Sequence, residues 1–149
     1  QDDFEKADHM SEDYLAHSSL LAALPGGQSL IDHCGSAPTF HDAIVQEMRF
    51  LTSGDSLFNY SLLQLWMPDS AAGIVVRFEL SMILDLNLDF FQGNILFELL
   101  LRRPTLRRDR VNYFRDPPMT TDLEFGLDST WGVGGFLVAR GVQVRWDHA

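Results

Sequence analysis

The sequence predicts an α+β fold: an N-terminal helix followed by a curved, mainly antiparallel sheet of about six or seven strands. Three observations lead there. Apolar and polar residues alternate from Ile74 to Phe90, helical periodicity is confined to the N-terminal region, and the later apolar segments are joined by short turn-rich stretches. Runs of strands without interleaved helices call for antiparallel pairing, with the helix covering one face or end of the sheet. Two packed sheets are the alternative.

Ser11, followed by Glu12, Asp13, Tyr14, Leu15, Leu20, Leu21 and Leu24, reads as an N-capped amphipathic helix that Pro25-Gly26-Gly27 stops. Residues 1–9 lack periodicity and hold the only lysine, Lys6. They read as a leader left from expression, with Met10 as the natural start and one domain over residues 10–149. Ser29 to Cys34 adds a short turn of helix closed by Gly35.

From Ile74 to Phe90 the even positions Ile74, Val76, Phe78, Leu80, Met82, Leu84, Leu86, Leu88 and Phe90 are apolar, the mark of a strand with one buried face. Seventeen residues is long for one strand, which predicts a sharp bend or a break near Ser81. Weaker alternation marks strands at Ile44 to Leu51, Phe58 to Met67, Ile95 to Leu101, Asp122 to Leu127 and Phe136 to Trp146. Turn signals at Ser53-Gly54-Asp55 and Pro68-Asp69-Ser70 separate some of them. The phase slips at Leu62-Leu63, as a bulge or burial on both faces would cause. The last strand directs Phe136, Val138, Val142 and Val144 inward but puts Arg140 in the same phase, which points to an edge position or a paired arginine.

The chain has 149 residues, 46% of them hydrophobic and 11% aromatic, enough for one core and against disorder. Cys34 is the single cysteine, so no intrachain disulfide forms and a reducing cytoplasm suits the protein best. No run of apolar residues matches a membrane span. The formal charge is −10; without the leader's four acids and one lysine, 17 acidic residues face ten arginines, a charge of −7. That balance disfavours nucleic acid, where affinity comes from Lys and Arg on phosphates, and favours encounter with a basic protein. Arg102, Arg103, Arg107, Arg108, Arg110 and Arg115 form a local exception, read as a solvated loop paired with Asp109 and Asp116, with an anion or RNA contact as the alternative.

His33, Cys34, His41 and Asp42 are chemically capable side chains within ten residues. Their spacing fits no common zinc motif, and His17 and His148 lie far off in sequence, so no metal or other cofactor is expected. Cys34 with His33 or His41 as base makes a small hydrolase or transferase one alternative reading. Trp131-Gly132-Val133-Gly134-Gly135 lacks the Lys-Ser/Thr of a phosphate loop and leads into a strand, so it reads as a tight turn. Asp85, Asn87 and Asp89 share a strand face opposite the apolar one. They form either a solvated surface or an acidic recognition face extended by Asp122, Glu124 and Asp128.

Pro38-Thr39-Phe40-His41-Asp42-Ala43, followed at once by a strand, resembles the Phe-His-Asp-Ala signature of immunity-protein family 50 of bacterial polymorphic toxin systems. Later segments are similar too: the strand through Val76 and Phe78, the step Leu86-Asn87-Leu88-Asp89-Phe90, Asn94 entering the next strand, and Trp131-Gly132 before a closing strand with Val142 and Val144. The likeness runs from about Pro38 to Trp146, and departs at Ala37 and Ile44, where the family often has an aromatic residue and a Glu. It implies a cytoplasmic protein, monomer or weak homodimer, that binds and neutralises a cognate toxin without catalysis. Asp85, Asp89, Asp122, Glu124 and Trp131 are the expected partner-binding residues, with Phe40, His41, Asp42 and Asn94 as structural motif residues. A non-catalytic scaffold using a sheet edge is the remaining alternative.

Overall fold

The computed structural model describes residues 2–53, 56–68, 73–90, 93–104, 119–128 and 133–149, with side chains outside 2–11, 52–60, 90 and 133. Two helices, α1 (Asp2–Ala23) and α2 (Gly27–Cys34), precede the strands β1 (Ile44–Ser53), β2 (Ser56–Met67), β3 (Ile74–Phe90), β4 (Glu98–Arg102), β5 (Asp122–Asp128) and β6 (Val133–His148). Helix α1 begins at Asp2, not at Ser11. No Gly or Pro interrupts the chain before Pro25. Tyr14, His17 and Leu21 form its inward stripe, at helical spacing, and Leu24 packs on the core just past its end; Leu15 lies off that stripe and is 62% exposed. Gly35 closes α2 in the left-handed region (φ 85°), its N–H donating to Ile31 O.

The strands form one open antiparallel sheet in the order β1-β2-β3-β6-β5-β4. After the β1-β2-β3 meander the chain crosses to the far edge and works back inward, so the last strand, β6, is central and Arg140 is not at an edge. Among the described residues no helix is long and apolar enough to cross a membrane.

The alternation in β3 holds from Ile74 to Leu80, all buried on the core face. It then breaks. The register with β6 shifts between Ile83 and Asp85, Met82 is 43% exposed, and Leu84 joins Phe136 and Val138 in a small apolar cluster apart from the main core. Ile83, Leu86 and Leu88 return to the main core. β6 changes phase beside it: Val142 and Val144 face the main core, but so do Leu137 and Ala139, while Phe136 and Val138 face the other way, contrary to the sequence reading. Gly141 makes that change, with φ 77° and the Ser81 hydroxyl where a Cβ would stand. By contrast β2 does not slip at Leu62-Leu63. Leu63, Leu65 and Met67 face the core, Leu62 is half-buried, and the register shifts of the β1-β2 pair fall elsewhere, at Val45/Glu47 and Leu51/Ser53.

The sheet curves strongly. Phe50 of β1, Leu80 of β3, Phe125 of β5 and Leu137 of β6 line one small interior void, so strands far apart in the order face each other across the core. The outer strands are also stitched together. Ile44 bridges Ile95, Val45 N–H donates to Asn94 O (2.7 Å), Leu96 N–H to Ala43 O (2.8 Å) and Leu99 N–H to Thr39 O (2.9 Å). This seam satisfies backbone groups that a bare edge strand would expose.

Candidate functional site

Phe40, His41, Asp42 and Asn94 meet at that seam. Phe40 and Asp42 are non-glycine residues with positive φ, 61° and 59°, a conformation that costs free energy and persists only where its surroundings hold it. Here the Phe40 ring is buried edge-on against Phe78 (centroids 5.5 Å apart), which in turn meets Phe125 (5.2 Å). Ala43 N–H closes the turn on Phe40 O (3.1 Å), and Asp42 N–H donates to Leu96 O (3.0 Å). The inward ring forces the next two side chains out. His41 donates from Nδ1 to Phe97 O (2.8 Å), its ring edge-on to Phe97 at 5.3 Å, and Nε2 lies 3.5 Å from Asp42 Oδ2. Asn94 Nδ2 donates to Val45 O (3.0 Å) from the opposite segment.

The acidic residues expected to face a partner divide. Asp85, Asp122 and Glu124 share the outer face of the sheet, on β3 and β5, but β6 runs between those strands and all three carboxylates are buried within the chain. Arg140, opposite Asp122 on β6, donates Nε to Asp122 Oδ1 (2.6 Å) and Nη2 to Asp122 Oδ2 (3.1 Å), a bidentate pair. Arg102, opposite Glu124 on β4, donates Nε to Glu124 Oε2. It can lie flat across β5 because Gly126 has no side chain; a Cβ there would stand 3.0 Å from the guanidinium. Arg103 donates to the Thr120 and Asp122 carbonyls. These acids therefore do not form a solvated acidic surface. Asp89 is exposed. Trp131, together with Arg107, Arg108, Arg110, Arg115 and their expected partners Asp109 and Asp116, lies outside the described residues.

The Cys/His neighbourhood has a different character. His33 stacks on Trp146 (4.0 Å, 23°) with His148 edge-on to both, and Trp146 Nε1 donates to Ser29 Oγ (3.1 Å). Cys34 is half-buried and packs on the core, and burial pushes its thiol up, away from the reactive thiolate. His41 belongs to the seam instead. Among the described residues no group of three or more His, Cys, Asp or Glu is arranged to hold a metal ion.

Two features had no sequence signal. His17 is fully buried: Nδ1 accepts from Leu101 N–H (2.9 Å) and Nε2 donates to Pro38 O (2.8 Å), fixing the neutral Nε2–H tautomer and tying α1 to β4. The other is the exposure of Ile95 (43%) and Phe97 (50%) on either side of fully buried Leu96. They belong to an uninterrupted apolar run, Ile95-Leu96-Phe97, whose composition does not distinguish the outward positions. Comparison of the chain with protein-family models, with curated proteins and with solved structures gives no match.

Proposed function

We propose that this protein is an immunity-type binder that neutralises a cognate, basic bacterial toxin by stoichiometric blocking in the cytoplasm, without cofactor or catalysis. The observation that supports this reading is the convergence of the residues on which the family resemblance rests. Phe40, His41 and Asp42 lie about fifty residues from Asn94 in sequence, yet they build one junction through the Asn94–Val45 and His41–Phe97 hydrogen bonds. A short sequence match arising by chance has no reason to select four residues with a joint structural task. The acidic balance of the chain, −10, is compatible with a basic partner.

The competing reading, a hydrolase or transferase on Cys34, His33 and His41, has less support, because burial pushes the Cys34 thiol up and His41 is bonded into the seam instead. The test is titration of the toxin domain encoded beside this gene with purified protein. Blocking predicts that activity reaches zero at about one equivalent and that Cys34→Ser neutralises like the parent. Neutralisation at well below one equivalent, or its loss in Cys34→Ser, would sink the blocking mechanism.

A further inference from the structure

The charged residues of the sheet are not treated alike by the fold. Glu47 pairs with Arg49, Glu79 with Arg145, Asp122 with Arg140, Glu124 with Arg102 and Asp147 with Arg77. Asp89, Glu98 and Asp128 have no arginine or lysine partner among the described residues. They also share one place. Glu98 stands directly opposite Asp128, and Asp89 pairs with Gly134 on β6, so the three carboxylates occupy the outer face at the same end of the sheet. No side chain rises from Gly134 between Asp89 and the β5 edge.

Like charges set directly across an antiparallel pair destabilise it, and among the described residues His41 is the basic side chain that acts on Glu98 to relieve them. The Glu98 carboxyl is raised by burial first and then by Asp128 opposite it, with His41 acting in the opposite sense and Asp13 adding a smaller push upward. Beside this row stand Phe97 and Ile95, half-exposed, with Asp42 on the turn that holds His41 against the Phe97 ring. An apolar centre with a charged rim of one sign is the arrangement that recognises a protein surface of the opposite sign with an apolar contact at its middle.

We propose that the surface centred on Phe97 and rimmed by Asp42, Asp89, Glu98 and Asp128 is the docking face for the basic toxin. The inference rests on the proposed function and moves the contact away from Asp85, Asp122 and Glu124, which the fold uses internally. Lysine or arginine of the partner takes the place of the missing intrachain cations, while an apolar partner side chain covers Phe97.

The experiment is a dissociation-constant series against the toxin domain encoded beside this gene, using the full chain with Phe97→Ala, Asp128→Lys, Glu98→Gln and Asp42→Asn. Asn retains the left-handed conformation at position 42. Asp32→Lys and Asp147→Lys, on α2 and at the other end of the sheet, are charge controls. Phe97→Ala and Asp128→Lys are expected to weaken binding at least about tenfold and Glu98→Gln and Asp42→Asn about threefold to tenfold, with the controls within about twofold. Glu98→Gln carries a second readout: the free protein should melt higher while binding falls, a combination that general damage to the fold does not produce. If the parent neutralises but Phe97→Ala and Asp128→Lys, melting as the parent does, bind equally well, the docking face is wrong and the proposed function stands. If the parent neither binds nor neutralises, the functional reading fails and the surface assignment falls with it. Equal weakening by patch and control substitutions would show attraction by net charge alone and would also overturn the docking face.

Discussion

His17 shows how much one buried polar side chain can decide. With both ring nitrogens bonded to backbone and no exposed surface, it joins α1 to the Pro38 carbonyl and to β4. Burial is the main influence on it and lowers its pKa from the ordinary 6.5, only partly opposed by the Pro38 carbonyl. The unfolded chain therefore takes up a proton near 6.5 while the folded chain resists it. This contribution to stability is complete above that value and is lost as pH falls from it through the lowered folded value. Urea midpoints measured at about pH 7.5 and about pH 5.5 should fall more steeply for the parent than for His17→Gln, which does not titrate. An equal fall in both would remove His17 from the acid response. At the higher pH, His17→Ala should cost on the order of 3 kcal/mol, because it leaves the Leu101 N–H and Pro38 carbonyl without partners and opens a cavity.

At the scale of elements, the conformationally demanding positions hold the helices and the two long strands in place. Gly26 stands between α1 and α2 with φ 84°, and a Cβ there would meet the Val144 carbonyl oxygen at 1.9 Å. Pro25 O also accepts from Val144 N–H at 2.9 Å, so this corner rests directly on β6. Gly26→Ala combines a steric conflict with backbone strain and should cost about 2–4 kcal/mol in chemical denaturation, well beyond an ordinary surface change. A loss below about 0.5 kcal/mol would show that the corner moves away freely. The paired irregularities at Ser81 to Asp85 and at Gly141 turn part of each strand over. They give the sheet a second, smaller apolar cluster around Phe136, Val138 and Leu84 on its outer face, beside the pair of half-buried Arg140 and buried Asp122.

For the whole molecule, the relevant quantity is a charge of −10 combined with the unequal pairing of its acids. Paired and buried carboxylates contribute little to a long-range field that favours one site, whereas the exposed unpaired ones near Phe97 do. Association with a basic partner should therefore slow several-fold as salt rises from about 50 to about 500 mM, while dissociation changes less, because rim charges act chiefly on encounter. Stopped-flow or surface-binding kinetics would show this, and a salt-independent association rate would remove electrostatic steering from the account.

Local pattern was enough to read the α+β class, the terminal helix, the six strand segments and the disturbance near Ser81, because side-chain periodicity and turn chemistry are properties of neighbouring residues. Gly35 as the end of α2 was legible for the same reason. The strand order was not: nothing local indicates that the last strand enters the middle of the sheet, and so Arg140 read equally well as an edge residue or a paired one. The acidic residues show the same division. Asp85, Asp89, Asp122 and Glu124 are equivalent as letters, and only the assembled sheet buries Asp122 against Arg140 of β6, Glu124 against Arg102 of β4 and Asp85 on β3 while leaving Asp89 exposed. Sequence by itself determined which segments are strands and which residues can carry charge. The tertiary structure decided which charges are buried and paired within the chain and which stay exposed, because burial and pairing depend on residues brought together from positions far apart in sequence.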